Sequence, residues 1–278
     1  MRGRFAPSPT GALHLGNAFT AWVAWHRAHG GELALRIEDI DLPRTVPGCE
    51  EQQLADLAWL GLNFSGRFMR QSERFWIYEQ AVEDLVKRGL AYYCTCSRKQ
   101  IAMASAPHGP EGPRYPGTCR GRRDEPDEQY AVRFLVREGD VPFTDALFGA
   151  QHQDVSALTG DFVIARADGV YAYQMAVVID DIAMRISEVV RGADLITSTP
   201  RQLLLYEAFG AEPPSFCHVP LVTANGEKLS KREPRHTLSG LRELGVKPEH
   251  LRQRFADTWA TVLASQAHAQ TIDIGALT

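Results

Sequence analysis

Three groups of residues in this chain have the types and spacing to do chemistry. The first is RFAPSPTGALHLGN, Arg4 to Asn17: an apolar strand, a turn braced by prolines, a glycine, then a helix opening at His-Leu-Gly-Asn. A strand, a turn and a helix N-terminus make an anion site, because unpaired backbone N–H groups and the helix dipole point at one place. His14 and Asn17 on the first turn can add hydrogen bonds to a phosphate there. Alone, the stretch reads equally as a helix start at His14 with Gly16 as a packing residue. The second group is NGEKLSKRE, Asn225 to Glu233, a hairpin-like turn with two lysines three apart and an arginine. A bare run of this kind is usually a solvated loop. The third is YYCTCSR, where Cys94 and Cys96 stand one residue apart, a spacing that suits a metal better than a disulfide.

The rest of the chain is what positions these groups. Its 278 residues, 44% hydrophobic and 23% charged, are enough for a real core in one large or two modest domains. A net charge of -4 argues against gripping nucleic acid through overall positive charge, though it leaves room for a basic face. Five cysteines are too few for a disulfide scaffold, and no apolar run reaches the roughly 18 residues of a membrane span. MRGRF is followed by prolines and glycines rather than a signal-peptide apolar stretch. These features describe a reduced, cytoplasmic, soluble protein with no membrane contact.

ELALRIEDID begins as a strand, Cys49 to Leu60 reads as a helix ended by Gly61, and SERFWIYEQAVEDLVKRG reads as a second helix capped by Ser72. The opening helix spans Asn17 to His29. Strands alternating with helices suggest βαβ units and a parallel sheet. The texture changes near Ala91: residues 105–128 are rich in Pro, Gly and charge, and short strands follow at 131–136 and 161–169. AYQMAVVIDDIAM is a buried helix, SEVVRGAD a strand entering a turn, and STPRQLLLYEAFG a helix with Ser198 or Thr199 as cap, Pro200 in its first turn and Gly210 at its end. The pattern is one α/β domain interrupted by an insertion.

PSPTGALHLGN and KLSKR, nearly two hundred residues apart, resemble the two signatures of class I aminoacyl-tRNA synthetases, in the wording of the glutamyl/glutaminyl branch. The resemblance covers about residues 3–235 and includes RFAPSPTG, LRIEDID, VVRGADL with TPRQ, and GEKLSKR in order. Asn17 replaces the second histidine of the HIGH-type signature, and the KMSKS-type loop reads KLSKR. The family implies an α/β fold: a Rossmann-like catalytic domain split by an α+β zinc-containing insertion, with a short helical C-terminal extension. On that basis the expected boundaries are 1–86 and 187–234 for the two catalytic halves, 87–186 for the insertion, and 235–278 for the helical tail.

The resemblance also implies roles. ATP, with Mg²⁺, would bind at His14, Gly16, Asn17 and Lys231, with His14 and Lys231 as catalytic residues stabilising negative charge in the transition state. Glutamate would bind at Arg4, Phe5, Ala6, Pro7, Ser8, Glu38, Tyr173 and Arg191. Of these, Arg4 and Arg191 match residues that face the side-chain carboxylate, and Glu38 the residue that receives the α-ammonium group. Without the family, both arginines would read as surface and Tyr173 as core packing. The tail after Arg232 holds two helices and no anticodon-binding domain, as in the truncated glutamyl-tRNA synthetase paralogues that glutamylate queuosine in the anticodon of tRNA(Asp), independently of tRNA for the activation step. A minimal glutamyl-tRNA synthetase charging the acceptor end of tRNA(Glu) is the alternative. The family's zinc site matches Cys94, Cys96, Tyr115 and Cys119, one structural ion per chain; on ligand chemistry alone His108 would be preferred to the tyrosine. Cys49 and Cys217 read as lone core thiols. The chain is expected to be a monomer.

Overall fold

A computed structural model describes residues 1–29, 31–66, 68–104, 112–224, 226–229, 233–265 and 269–275. In chain order the elements are β1 (Arg2–Phe5), α1 (Leu15–Arg27), β2 (Glu32–Ile37), α2 (Cys49–Trp59), β3 (Met69–Arg70), α3 (Phe75–Lys87), β4 (Ala91–Cys94), α4 (Arg98–Ala104), β5 (Ala131–Phe134), β6 (Val141–Asp145) and β7 (Gly149–Gln153). They continue with α5 (Val155–Leu158), β8 (Val163–Ala165), α6 (Tyr173–Ala183), β9 (Glu188–Gly192), α7 (Thr199–Phe209), β10 (Ser215–Val219), β11 (Leu221–Ala224), β12 (Glu227–Lys228), α8 (Leu238–Glu243), α9 (Pro248–Ala264) and β13 (Thr271–Asp273).

Seven strands form one sheet in the order β3-β2-β1-β9-β10-β6-β7, parallel except for the β6–β7 hairpin. Parallel strands covered on both faces need nearly continuous apolar sequence, and five of the six residues of ELALRI in β2 are buried, among them Arg36. β1 lies mid-sheet between β2 and β9. In doubly wound sheets the crevice beyond such a switch point is where ligands bind. The sheet therefore has the Rossmann-like order expected, with its crevice at the end of RFAPSPTG.

Within 87–186, β4, β5 and β8 form a separate antiparallel sheet. β6 and β7 instead join the edge of the main sheet beside β10, where Phe143 meets Phe216 edge-on at 6.2 Å between ring centres. A third small sheet pairs β11 with both β12 and β13. The tail helices dock on the catalytic half: Phe19 of α1 meets Phe255 and Trp259 of α9 edge-on, at 5.6 and 6.5 Å. Among the described residues no helix is long and apolar enough to cross a membrane.

Three helices differ from expectation at their ends. α1 starts two residues earlier, at Leu15, with His14 as its cap, and ends at Arg27. α3 starts at Phe75 rather than after Ser72, because the Asp39 carboxylate captures both the backbone N–H (2.9 Å) and the hydroxyl (2.6 Å) of Ser72. Ser198 precedes α7 without a side-chain cap bond, and the Thr199 hydroxyl is drawn away to Arg191.

Candidate active site and metal centre

The loop after β1 is tied down from two sides. Glu38 N–H donates to the Pro7 carbonyl (2.9 Å), and the Gln53 side-chain amide of α2 donates to the carbonyls of Ser8 (3.1 Å) and Gly11 (2.8 Å). Cys49, the first residue of α2, donates its thiol proton to the same Gly11 carbonyl (3.0 Å), so this thiol is a brace for the loop. At the helix entrance, Asn17 N–H donates to His14 Nδ1 (3.2 Å) while His14 N–H donates to Asn17 Oδ1 (3.4 Å). This reciprocal cap satisfies two of the helix's orphan N–H groups. It also makes Nδ1 an acceptor, which leaves the proton of a neutral His14 on Nε2, the nitrogen that can donate to an anion. Gly16 lies close under the His14 ring and beside Leu229: a Cβ there would press on the ring at 3.0 Å and touch Leu229 at 3.6 Å. Leu229 belongs to KLSKR, so the two signature segments meet at Gly16. Lys231 and Arg232 lie outside the described residues, as do Asn225 and Ser230.

Beyond β1 the expected glutamate-pocket residues gather. Arg4 and Arg191 are 3% and 4% exposed, which removes the surface reading for both. Arg4 donates to the Val190 carbonyl (2.9 Å) and stands 3.5 Å from an Asp181 oxygen. Glu38 is paired with the fully buried Arg36 at 3.0 Å. Burial raises the Glu38 carboxyl above its ordinary range, against the pull of Arg36 and Arg4. Tyr173, first residue of α6, is half-buried. Its hydroxyl is raised first by burial and then by Glu38, and it also feels Arg191, Arg4 and Arg36. Phe5 and Pro7 are buried, Ala6 is half-buried, and Ser8 is exposed at the mouth.

Arg191 is held by neutral groups. Its Nε–H donates to His218 Nε2 (2.9 Å), and its two terminal nitrogens donate to Gln202 Oε1 (2.8 Å) and Thr199 Oγ1 (2.7 Å). Because a guanidinium can only donate, His218 Nε2 must be the acceptor, and its proton sits on Nδ1, facing Asp145 Oδ2 at 2.7 Å. Burial lowers the pKa of His218, Asp145 opposes this and Arg191 adds to it, so the ring is neutral. Burial also lowers the pKa of Arg191 from its ordinary value, and the like charge of Arg4 contributes. The hydrogen bonds seen for Arg191 among the described residues include no carboxylate. A buried cation arranged this way is complementary to an incoming carboxylate.

Sequence reasoning missed Arg36, Asp145, Asp180, Asp181, Gln53, Thr199, Gln202 and His218, all buried and all bonded to the pocket or its backing. One signal was present: Asp180-Asp181 falls inside an apolar helix, where acids stand only if paired. Asp180 accepts from Gln71, Arg74 and Tyr78, and Asp181 from Arg36.

The cysteine cluster forms on the smaller sheet. Cys94 ends β4, Cys96 follows it, and Cys119 comes back across; their three sulfurs lie within 4.8 Å of one another. Cys96 and Cys119 Sγ are 3.5 Å apart, and all five cysteines of the chain are free. The Tyr115 hydroxyl lies 3.3 Å from Cys94 Sγ and 3.8 Å from Cys96 Sγ, and accepts from Cys119 N–H at 2.9 Å. Gly160, at φ +69°, lets the Tyr115 backbone approach; a Cβ there would sit 2.6 Å from the Tyr115 carbonyl oxygen. Burial alone would raise the Cys119 thiol, but the Thr95 N–H and bonds from Cys96, Tyr115 and Cys94 bring it down to about 7. Burial pushes Cys96 up to about 11. Three convergent sulfurs with an oxygen closing the fourth side fit a tetrahedral, soft-ligand ion such as zinc. His108 lies outside the described residues.

Comparison with known proteins follows the same lines. The pattern of the class I tRNA synthetases (E and Q), catalytic domain, matches residues 1–273. The glutamyl-Q tRNA(Asp) synthetase of Symbiobacterium thermophilum is 48% identical over 271 residues, covering 89% of this chain and 83% of its own. That of Chromobacterium violaceum is 48% identical over 234 residues, covering 83% of this chain and 78% of its own. A glutamate tRNA ligase from Elizabethkingia meningosepticum, solved in complex with its amino acid, superposes with a TM-score of 0.79 at 31% identity. The match covers 93% of this chain and 60% of that one, so this chain spans less than two thirds of that ligase.

Proposed function

The chain belongs to the class I tRNA synthetases of the E and Q type, in the family of the glutamyl-Q tRNA(Asp) synthetases, and we propose that it activates glutamate with ATP and transfers it to queuosine in the anticodon of tRNA(Asp). The observation that carries the substrate is the buried Arg191 guanidinium, held by His218, Gln202 and Thr199, with Arg4 beside it and, among the described residues, no carboxylate in its hydrogen bonds. A glutamate side-chain carboxylate supplies the missing anion. Glutamine offers no charge there, so the site favours the acid.

In the proposed reaction an α-carboxylate oxygen of glutamate attacks the α-phosphorus of ATP, the bond to the β-phosphate breaks, and pyrophosphate leaves. A nucleophile of the modified base then attacks the adenylate carbonyl and AMP leaves. Glu38 receives the α-ammonium group, and Tyr173 with residues 5–8 walls the pocket. His14 Nε2–H, the Gly16 backbone N–H, the Asn17 side-chain amide and Lys231 meet the phosphates, whose charge grows toward the transition state. Mg²⁺, when bound with ATP, neutralises part of that charge. Activation proceeds without tRNA in this reading, because the pocket arginines, Glu38 and Tyr173 already stand together in the chain alone. One zinc ion would be held by Cys94, Cys96, Tyr115 and Cys119 and would tie the chain between β4 and β5 to the small sheet. We assign the protein to the cytoplasm, as a monomer.

The test is ATP-dependent attachment of labelled glutamate to tRNA(Asp) with and without queuosine, and to tRNA(Glu), followed by mapping of the labelled nucleotide. Label on the modified base is expected. Label at the acceptor end of tRNA(Glu) would instead establish a minimal glutamyl-tRNA synthetase.

A further inference from the structure

Arg133 lies on β5, 7% exposed, on the small sheet that carries the cysteine cluster. A guanidinium taken out of water is stable only when an anion or a full set of acceptors replaces the solvent. Among the described residues no carboxylate lies within ion-pair distance of it. Asp161 contributes only its backbone carbonyl, at 2.8 Å from Arg133 NH1. The Asp161 carboxylate is committed to the Tyr92 hydroxyl, the Val136 N–H and Arg120. What remains is sulfur: Arg133 Nε donates to Cys94 Sγ at 3.3 Å. The flat face of the same guanidinium lies 3.8 Å from the centre of the Tyr115 ring.

From this geometry we infer that Arg133 is a positioning residue of the metal centre, acting as the counter-cation of the thiolate cluster and as the clamp that aims the Tyr115 hydroxyl. The inference rests on the zinc reading above and goes beyond its ligand set. A doubly charged ion facing three thiolates leaves a net negative charge in a buried place, and Arg133 supplies the opposite sign next to Cys94. The donated N–H removes electron density from one sulfur only, so Cys94 is the thiolate most tied to this residue. Stacking on the ring fixes Tyr115 where its oxygen is 3.3 Å from Cys94, which is the placement a fourth ligand requires. A lysine keeps the charge but has neither the fork nor the flat face.

The experiment compares the wild-type chain with Arg133→Met and Arg133→Lys, purified without chelator. Zinc per chain is measured first, then zinc transfer to a chromophoric chelator at fixed neutral pH. After cobalt exchange, the thiolate-to-cobalt charge-transfer band is recorded. Loss of an outer partner typically weakens metal binding by about 10–100-fold, and that is expected for Arg133→Met, with a shifted cobalt band. Arg133→Lys should fall between, because it restores charge without restoring the stack. Wild-type zinc release and an unshifted band in a folded Arg133→Met overturn the inference while leaving zinc in place. If Arg133→Met does not fold, Arg133→Lys decides, and wild-type behaviour in it overturns the inference equally. A wild-type chain that binds no zinc removes the metal reading itself, a result recognisable before any variant is made.

Discussion

Arg191 Nε and His218 Nε2 face each other at 2.9 Å, and the direction of that bond is fixed because a guanidinium can only donate. The consequence is a relay: Asp145 holds His218, and His218 holds the arginine proposed to read glutamate. His218→Phe keeps the ring and removes both nitrogens. It should raise the Michaelis constant for glutamate at least about tenfold, as loss of a hydrogen bond to a charged group implies, with that for ATP nearly unchanged. His218→Gln should recover part of the loss. Unaltered glutamate kinetics in the Phe variant would show that Arg191 needs no such anchor.

The same relay gives stability a pH dependence with a definite sign. His218 faces Asp145, Arg191 and Thr199, and its pKa is lowered from the ordinary 6.5, first by burial. The unfolded chain therefore takes up a proton near pH 6.5 while the folded one does not, so the contribution of His218 is complete above that pH and declines below it. Burial raises Asp145, but His218 and the Phe148 and Leu147 N–H groups outweigh it and hold the carboxyl below 3.8. Its contribution is thus present above 3.8 and lost only in stronger acid. Thermal melts between pH 7.5 and 5 should show a falling midpoint, and His218→Gln should flatten that slope. An equal slope in both proteins would put the titrating group elsewhere.

Lys231→Ala is expected to slow adenylate formation by a hundredfold or more, since removal of one donor to a developing anion typically costs about 3–4 kcal/mol. Melting behaviour should be unchanged. ATP–pyrophosphate exchange measures this directly, and a loss below about tenfold would assign the role to another residue.

The fourth zinc ligand is decided by two substitutions. Tyr115→Phe should lower zinc content or speed its release, whereas His108→Ala should not; the reverse pattern transfers the ligand to His108. Zinc removal is expected to slow transfer to tRNA more than glutamate activation, which single-turnover assays of the two steps separate.

Phe255→Ala should destabilise the chain by about 3–5 kcal/mol, the usual cost of deleting a buried aromatic ring. Phe255 is fully buried against Phe19 and Trp22, so the denaturation midpoint should fall with little change in slope. A change under about 1 kcal/mol would mean that α9 contributes little to the core.

What was legible in the sequence was local. The helical periods of α1, α2, α6, α7 and α9 and the strand runs of β2 and β9 lie within 17 residues each, and glycines or prolines mark several of their ends. The signature segments were legible too, since each places its chemistry within a few positions of one turn. The relay was not. Asp145 and His218 are 73 residues apart, and neither VPFTD nor SFCHV says which partner its polar side chain will meet. Arg133 and Cys94, 39 apart, pose the same problem. β6 and β7 carry no such local mark: Pro142 stands inside VPFTD, and the pairing that makes them strands comes from β10 and from each other. Ser72 was assigned as a cap on local spacing, and the more distant Asp39 took its donors instead.

The central place of β1 bears on how the chain is made. Arg4 donates to the carbonyl of Val190, 186 positions further on, and one long side of β1 waits for β9 to exist. At about 5–20 residues per second of synthesis, the first strand spends roughly 10–40 s with that edge unpaired. The unpaired N–H and C=O groups of a strand edge left open this long invite pairing with other nascent chains. The geometry that puts the proposed amino-acid pocket at the centre of the sheet therefore delays its completion until β9 and β10 have been made, and a ribosome pausing between residues 90 and 190 would lengthen the interval in which a chaperone has to shield that edge.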